Sequence, residues 1–78
     1  MKIVKKQKVL TELEKKFAQL YVENIFSNET RTNTDIAIEA GYAKDSAYQR
    51  AYENITYKIK PHVVNYIENL KEDFRVRN

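Results

Sequence analysis

The sequence predicts an all-α fold, a small domain of about four helices containing a helix-turn-helix, and three observations carry that prediction. Apolar residues recur at three- and four-residue steps along the chain, and no stretch alternates as a half-buried strand would. A hydroxyl residue followed three positions later by a carboxylate, the signature of a capped helix start, occurs at Thr11 with Glu14 and again at Thr32 with Asp35. The only glycine, Gly41, and the only proline, Pro61, lie between apolar blocks, where one ends a helix and the other starts one.

Residues 1–10 read as a basic flexible arm. Lys2, Lys5, Lys6 and Lys8 give it +4, so a net charge of +3 leaves −1 for the rest of the chain. Such an arm either reaches phosphates or serves as a solubilising tail. The first helix is expected over 12–26, with Leu13, Phe17, Leu20, Tyr21 and Ile25 on its packed side. The stretch Ser-Asn-Glu-Thr-Arg at 27–31 favours turn and cap geometry and reads as a loop. A short second helix is expected over 34–40, with Ile36, Ala37 and Ala40 sharing one face. Gly41 fits the position past its end, where a left-handed backbone is needed, so the chain can reverse tightly into a third helix over 45–59 started by Asp45 or Ser46.

Projection of that third helix places Ala47, Tyr48, Ala51, Tyr52, Ile55 and Ile59 on the packed side. Ser46, Gln49, Arg50, Glu53 and Tyr57 remain on the other side, and Gln49 and Arg50 carry forked donors able to grip a base edge with two bonds. Any surface helix has a polar outer face; what favours a recognition helix is the tight turn together with small Ala37, Ala40, Ala47 and Ala51, which let two short helices cross closely. Pro61 opens a fourth helix over 61–74, packing through Val63, Val64, Tyr66, Ile67 and Leu70, and leaves 75–78 as a tail. Phe74 and Val76 lie near the end of these residues, which suggests that the natural protein continues or that another chain covers them. The expected core is Leu13, Phe17, Leu20, Tyr21, Ile36, Ala37, Ala40, Ala51, Ile55, Val63, Ile67 and Leu70.

Seventy-eight residues suit one domain, 11–74, with a small core. Without cysteine there is no disulfide or thiolate metal site, and His62 has no recognisable nucleophile or ligand partner beside it in the sequence. Neither a membrane span nor the apolar centre of a signal peptide is present. The expectation is therefore a binding protein, with no catalytic residue, metal or cofactor. Ser46, Gln49, Arg50 and Glu53 are the candidate base readers, and Lys2, Lys5, Lys6, Lys8, Arg31, Lys44, Lys58 and Lys60 the candidate phosphate contacts. Projection of a continuous helix turns Lys58 toward the core, which makes it the weakest member of that set.

Three blocks, LTELEKKFAQLYV, DIAIEAGYAKDSAYQRAYENI and KPHVVNYIENL, resemble in order and register the N-terminal DNA-binding domain of bacteriophage terminase small subunits. The likeness runs from about Leu10 to Leu70 through Leu10, Thr11 and Phe17, then Ala40, Gly41, Tyr42 and Ala47, then Pro61, Val63, Tyr66, Ile67 and Leu70. It implies recognition of the packaging start site on double-stranded viral DNA in the host bacterial cytoplasm, and presentation of that DNA to the large subunit, which holds the ATPase and nuclease. It also implies homo-oligomerisation of a full-length protein and contact with the large subunit through regions outside these residues, with a monomer left open for this chain. Two departures are Ala43, where the family often has a capping Ser or Thr, and about three extra residues around 56–59. The alternatives are a helix-turn-helix transcription regulator or recombinase arm, and a small helical module that binds protein.

Overall fold

The computed structural model describes residues 9–28 and 30–77, and these residues form helices and turns with no strand among them. The predicted basic arm, including Lys2, Lys5, Lys6 and Lys8, lies outside the described residues apart from Val9 and Leu10.

Helix α1 spans Glu12–Phe26 and starts at the expected capping box. Thr11 Oγ1 accepts from the Glu14 N–H at 3.1 Å while Glu14 Oε1 accepts from the Thr11 N–H at 2.9 Å, so two otherwise orphaned donors are satisfied reciprocally. Asn28, just past its end, has φ 62°, a left-handed conformation that asparagine tolerates better than most residues. Helix α2, Asn33–Ala40, begins with the second box, Thr32 with Asp35. It closes in a Schellman turn, with the Gly41 N–H donating to the Ile38 carbonyl at 3.0 Å and the Tyr42 N–H to the Ala37 carbonyl at 3.1 Å. Gly41 is required here by its backbone conformation. Its φ is 121°, and a Cβ at this position would sit 2.7 Å from Leu13 Cδ2 of α1.

A 3-10 turn over Lys44–Ser46 leads into α3, Ala47–Asn54. Neither Asp45 nor Ser46 caps α3 as expected. The Ala47 N–H already donates to the Lys44 carbonyl within the 3-10 turn, and Ser46 Oγ turns back toward the Ala43 carbonyl at 3.4 Å. Helix α3 also stops five residues short of the predicted 59. Ile55, Thr56 and Tyr57 are poor helix formers, and Thr56 Oγ1 donates to the Tyr52 carbonyl. The Ile59 and Lys60 N–H groups then fold back onto the Thr56 carbonyl at 3.0 and 2.9 Å, which reverses the chain ahead of Pro61. Helix α4 spans Pro61–Arg77, so most of the predicted 75–78 tail is helical. No glycine or proline interrupts it, and its exposed side holds an Arg75–Glu72 pair at 3.2 Å.

Helix α1 is the element on which the others pack. On one side Phe17 meets Ile36, Ala37 and Ala40 of α2 and Ala47 and Ala51 of α3. On the other, Ala18 and Val22 meet Val63 and Ile67 of α4, with Tyr21 and Ile55 touching both groups. Of the predicted core, Phe17, Ile36, Ala37, Ala40, Ala51, Val63 and Ile67 are buried, and Leu20, Tyr21, Ile55 and Leu70 are half-buried. Leu13 is a correction: it lies over the rim of the Gly41 turn and remains exposed. Ile25, also assigned to the packed side, is exposed, while Phe26 at the end of α1 stacks on Phe74 with ring centroids 5.2 Å apart. Val22 and Ala18, which the prediction passed over, are fully buried because α4 covers the side of α1 that α2 leaves open.

Candidate nucleic-acid interface

Helix α3 buries a narrow stripe, Ala47, Ala51 and Asn54, against the rest of the domain. Small side chains let α2 and α3 approach closely, and that closeness leaves no room for large rings between them. Tyr48 and Tyr52, expected on the packed side, are therefore 75% and 52% exposed, and Ile59, beyond the break in the helix, is exposed too. At about 100° per residue Gln49 points almost directly away from the buried stripe, with Tyr48 and Tyr52 on one flank and Arg50 and Glu53 on the other. The two tyrosines are thus part of the outward side, and the signal that would have found them was the Ala47–Ala51–Asn54 spacing, which by itself forms a complete buried line. Asn54, which the projection assigned to neither side, is buried, and its Nδ2 donates to the Tyr42 hydroxyl at 3.2 Å.

Three of the four candidate base readers form one network. Gln49 Nε2 donates to Glu53 Oε2 at 3.1 Å, and Arg50 Nη1 donates to Glu53 Oε1 at 2.9 Å. The Gln49 and Arg50 hydrogen bonds outweigh the opposing effect of burial and hold the Glu53 carboxyl below its ordinary range. Ser46, the fourth, is half-buried at the foot of α3 and is turned toward the Ala43 carbonyl.

The candidate phosphate contacts divide. Lys44, on the 3-10 turn leading into α3, and Lys58, on the turn after it, are both exposed. The early end of α3 swings Lys58 out of the core-facing position that a continuous helix would have given it. Lys60 is half-buried, and its ammonium donates to Glu14 Oε2 at 2.6 Å, so it neutralises a buried carboxylate. Arg31 pairs with Glu39 near the end of α2, and its backbone carbonyl accepts from Asn24 Nδ2 at 3.3 Å, which ties it into the domain. The four arm lysines, Lys2, Lys5, Lys6 and Lys8, lie outside the described residues.

His62 is half-buried in the first turn of α4, with Nε2 3.5 Å from Glu14 Oε1 and with Nδ1 buried and lacking a hydrogen-bond partner among the described residues. Glu14 thus gathers the Thr11 N–H, Lys60 and His62 around one buried carboxyl. Burial pushes that carboxyl up, but the hydrogen bonds from Lys60 and Thr11 and the nearby charges of Lys60 and His62 prevail and hold it below its ordinary value.

Among the described residues no group of three or more His, Cys, Asp or Glu could hold a metal ion, and no helix is long and apolar enough to cross a membrane. Comparison with protein-family models, with curated proteins and with solved structures finds no match for this chain.

Proposed function

We propose that this chain is a sequence-specific, double-stranded-DNA-binding domain in which α2, the Gly41 turn and α3 act as a helix-turn-helix, α3 entering the major groove. The carrying observation is the outward side of α3, where Gln49 and Arg50 stand next to each other within its first turn, the part of a recognition helix that reaches base edges. Arg50 would pair with guanine and Gln49 with adenine, the bases whose edges match their donors and acceptors. Lys44 and Lys58, exposed at the two ends of α3, would hold phosphates on either side, with Ser46 assisting at the N-terminal end. The resemblance of three sequence blocks to phage terminase small subunits gives this activity a setting: recognition of the packaging start site and delivery of viral DNA to a large subunit that carries out the catalysis. A transcription regulator or recombinase arm built on the same helix pair would read DNA in the same way.

One observation favours a second reading, a protein-binding module. Tyr48, Tyr52 and Tyr57 are exposed together on and just after α3, and Glu53 neutralises its only arginine.

Selection from a randomised duplex library, followed by titration of the enriched and a scrambled duplex at one salt concentration, separates the two. DNA recognition requires that Arg50→Ala weaken the enriched duplex by about 1–3 kcal/mol and the scrambled one much less, while Lys44→Ala weakens both by similar factors. Failure of the library to enrich any sequence, with little salt dependence of binding, would leave the protein-binding module.

A further inference from the structure

Glu53 is the one acid on the outward side of α3, where a carboxylate would face phosphates, and both of its oxygens are engaged. Oε2 accepts a hydrogen bond from the amide of Gln49 and Oε1 one from the guanidinium of Arg50, so one side chain links the two proposed base readers. The Glu53 side chain is 18% exposed against 46% for Arg50, so the acid sits low against the helix while the donors reach past it.

We infer that Glu53 is a positioning residue of the proposed interface: it orients Gln49 and Arg50 as one linked donor pair and lowers their attraction for phosphates, so that affinity depends on the bases. This rests on the DNA-binding reading.

First, an amide side chain offers donors on one end and an acceptor on the other, and a carboxylate at Nε2 settles which end faces which way. One Nε2 hydrogen is used by Glu53; the second, with Oε1, remains to span an adenine edge. Second, Arg50 spends one of five N–H groups on Glu53, which leaves donors for guanine O6 and N7 while fixing the plane of the fork. Third, random DNA attracts a protein through phosphate charge, and a carboxylate 2.9 Å from the guanidinium cancels most of that attraction while leaving the directed hydrogen bonds in place. Glu53 itself is a poor reader of cytosine, because accepting from the cytosine amine would require giving up Gln49 or Arg50.

The test uses the full chain, a duplex enriched from a randomised library by the unsubstituted protein, and a scrambled duplex of the same composition. Glu53→Gln keeps the shape and removes the charge. It should bind the scrambled duplex more tightly, with a salt slope steeper by up to about 0.9. The ratio of enriched to scrambled affinity should fall by about five- to thirty-fold, of the order that one misplaced bidentate contact costs. A fresh selection with Glu53→Gln should lose enrichment at the guanine and adenine positions together. Combining Glu53→Gln with Gln49→Ala and Arg50→Ala should then change the ratio little beyond the Gln49→Ala, Arg50→Ala pair, because no reader is left for Glu53 to position. If the carboxylate only repels DNA, Glu53→Gln would raise both affinities by one factor and leave the ratio and the enriched sequence unchanged, which overturns the inference while leaving DNA recognition standing. If the unsubstituted protein enriches no sequence at all, the DNA-binding reading falls and takes the inference with it.

Discussion

Glu14 and Glu53 each gather two nitrogen-bearing side chains, and both carboxyls are held below their ordinary range, yet they sit in opposite settings. Glu14 is buried at the start of α1 and draws Lys60 and His62 from the far end of the chain, 46 and 48 residues on. Its partners arrive only when α4 docks, so this group belongs to the tertiary fold. Glu53 takes both donors from within one turn of its own helix, on the outward side. Those contacts form wherever α3 forms, and water or a ligand can replace them. Burial and sequence separation, rather than residue type, separate a group that holds the domain together from one that can face a partner.

The largest expected effect tests whether the presenting side depends on the core beneath it. Phe17 is fully buried where α1 meets α2 and α3, and it stacks on Tyr21 with ring centroids 5.7 Å apart. Phe17→Ala should cost about 3–5 kcal/mol, read from urea unfolding, and should release the helix pair together with the rest of the domain. A loss well under that range would mean the α2–α3 pair is held mainly by its own alanine contacts.

Next is the buried acid. Glu14→Gln keeps the volume but loses the charged hydrogen bond to Lys60, and should cost about 1–3 kcal/mol near neutral pH. Because the folded-state carboxyl lies below its ordinary value of 4.5, its contribution is fully present above that pH and fades as pH falls through the folded value. The gap in melting temperature between Glu14→Gln and the unsubstituted protein should therefore close on acidification. A gap that stays constant down to the acid limit would show that the Lys60 pair adds nothing net.

Smallest is the effect of Glu53→Gln on stability, at most about 0.5 kcal/mol, since its partners are exposed and lie on the same helix. A larger loss in thermal unfolding would blur the contrast with Glu14 and move Glu53 into the structural group.

Local chemistry made much of this molecule legible. The capping boxes at Thr11 and Thr32, the bounds of α1, the end of α2 at Ala40, the Gly41 reversal and the Pro61 start each depend on residues within a few positions of one another, and each follows from backbone hydrogen-bonding needs that the local sequence meets. Gln49 and Arg50 came out exposed and Glu53 half-buried beside them for the same reason: their places on α3 follow from helical geometry once a buried line is chosen.

What the chain packs against decided the rest. Which line of α3 is buried depended on how closely α2 could approach, and that favoured Ala47, Ala51 and Asn54 over Tyr48 and Tyr52. Lys60 resembled any basic residue beside a recognition helix until the fold set it against Glu14, and the apolar run through Ile59 looked continuous until the chain had to turn back and lay α4 along α1. Periodicity marks residues that share a side of a helix. The neighbour that covers one side arrives from a distant part of the chain, and burial there selects among the alternatives that local hydrogen bonding leaves equal.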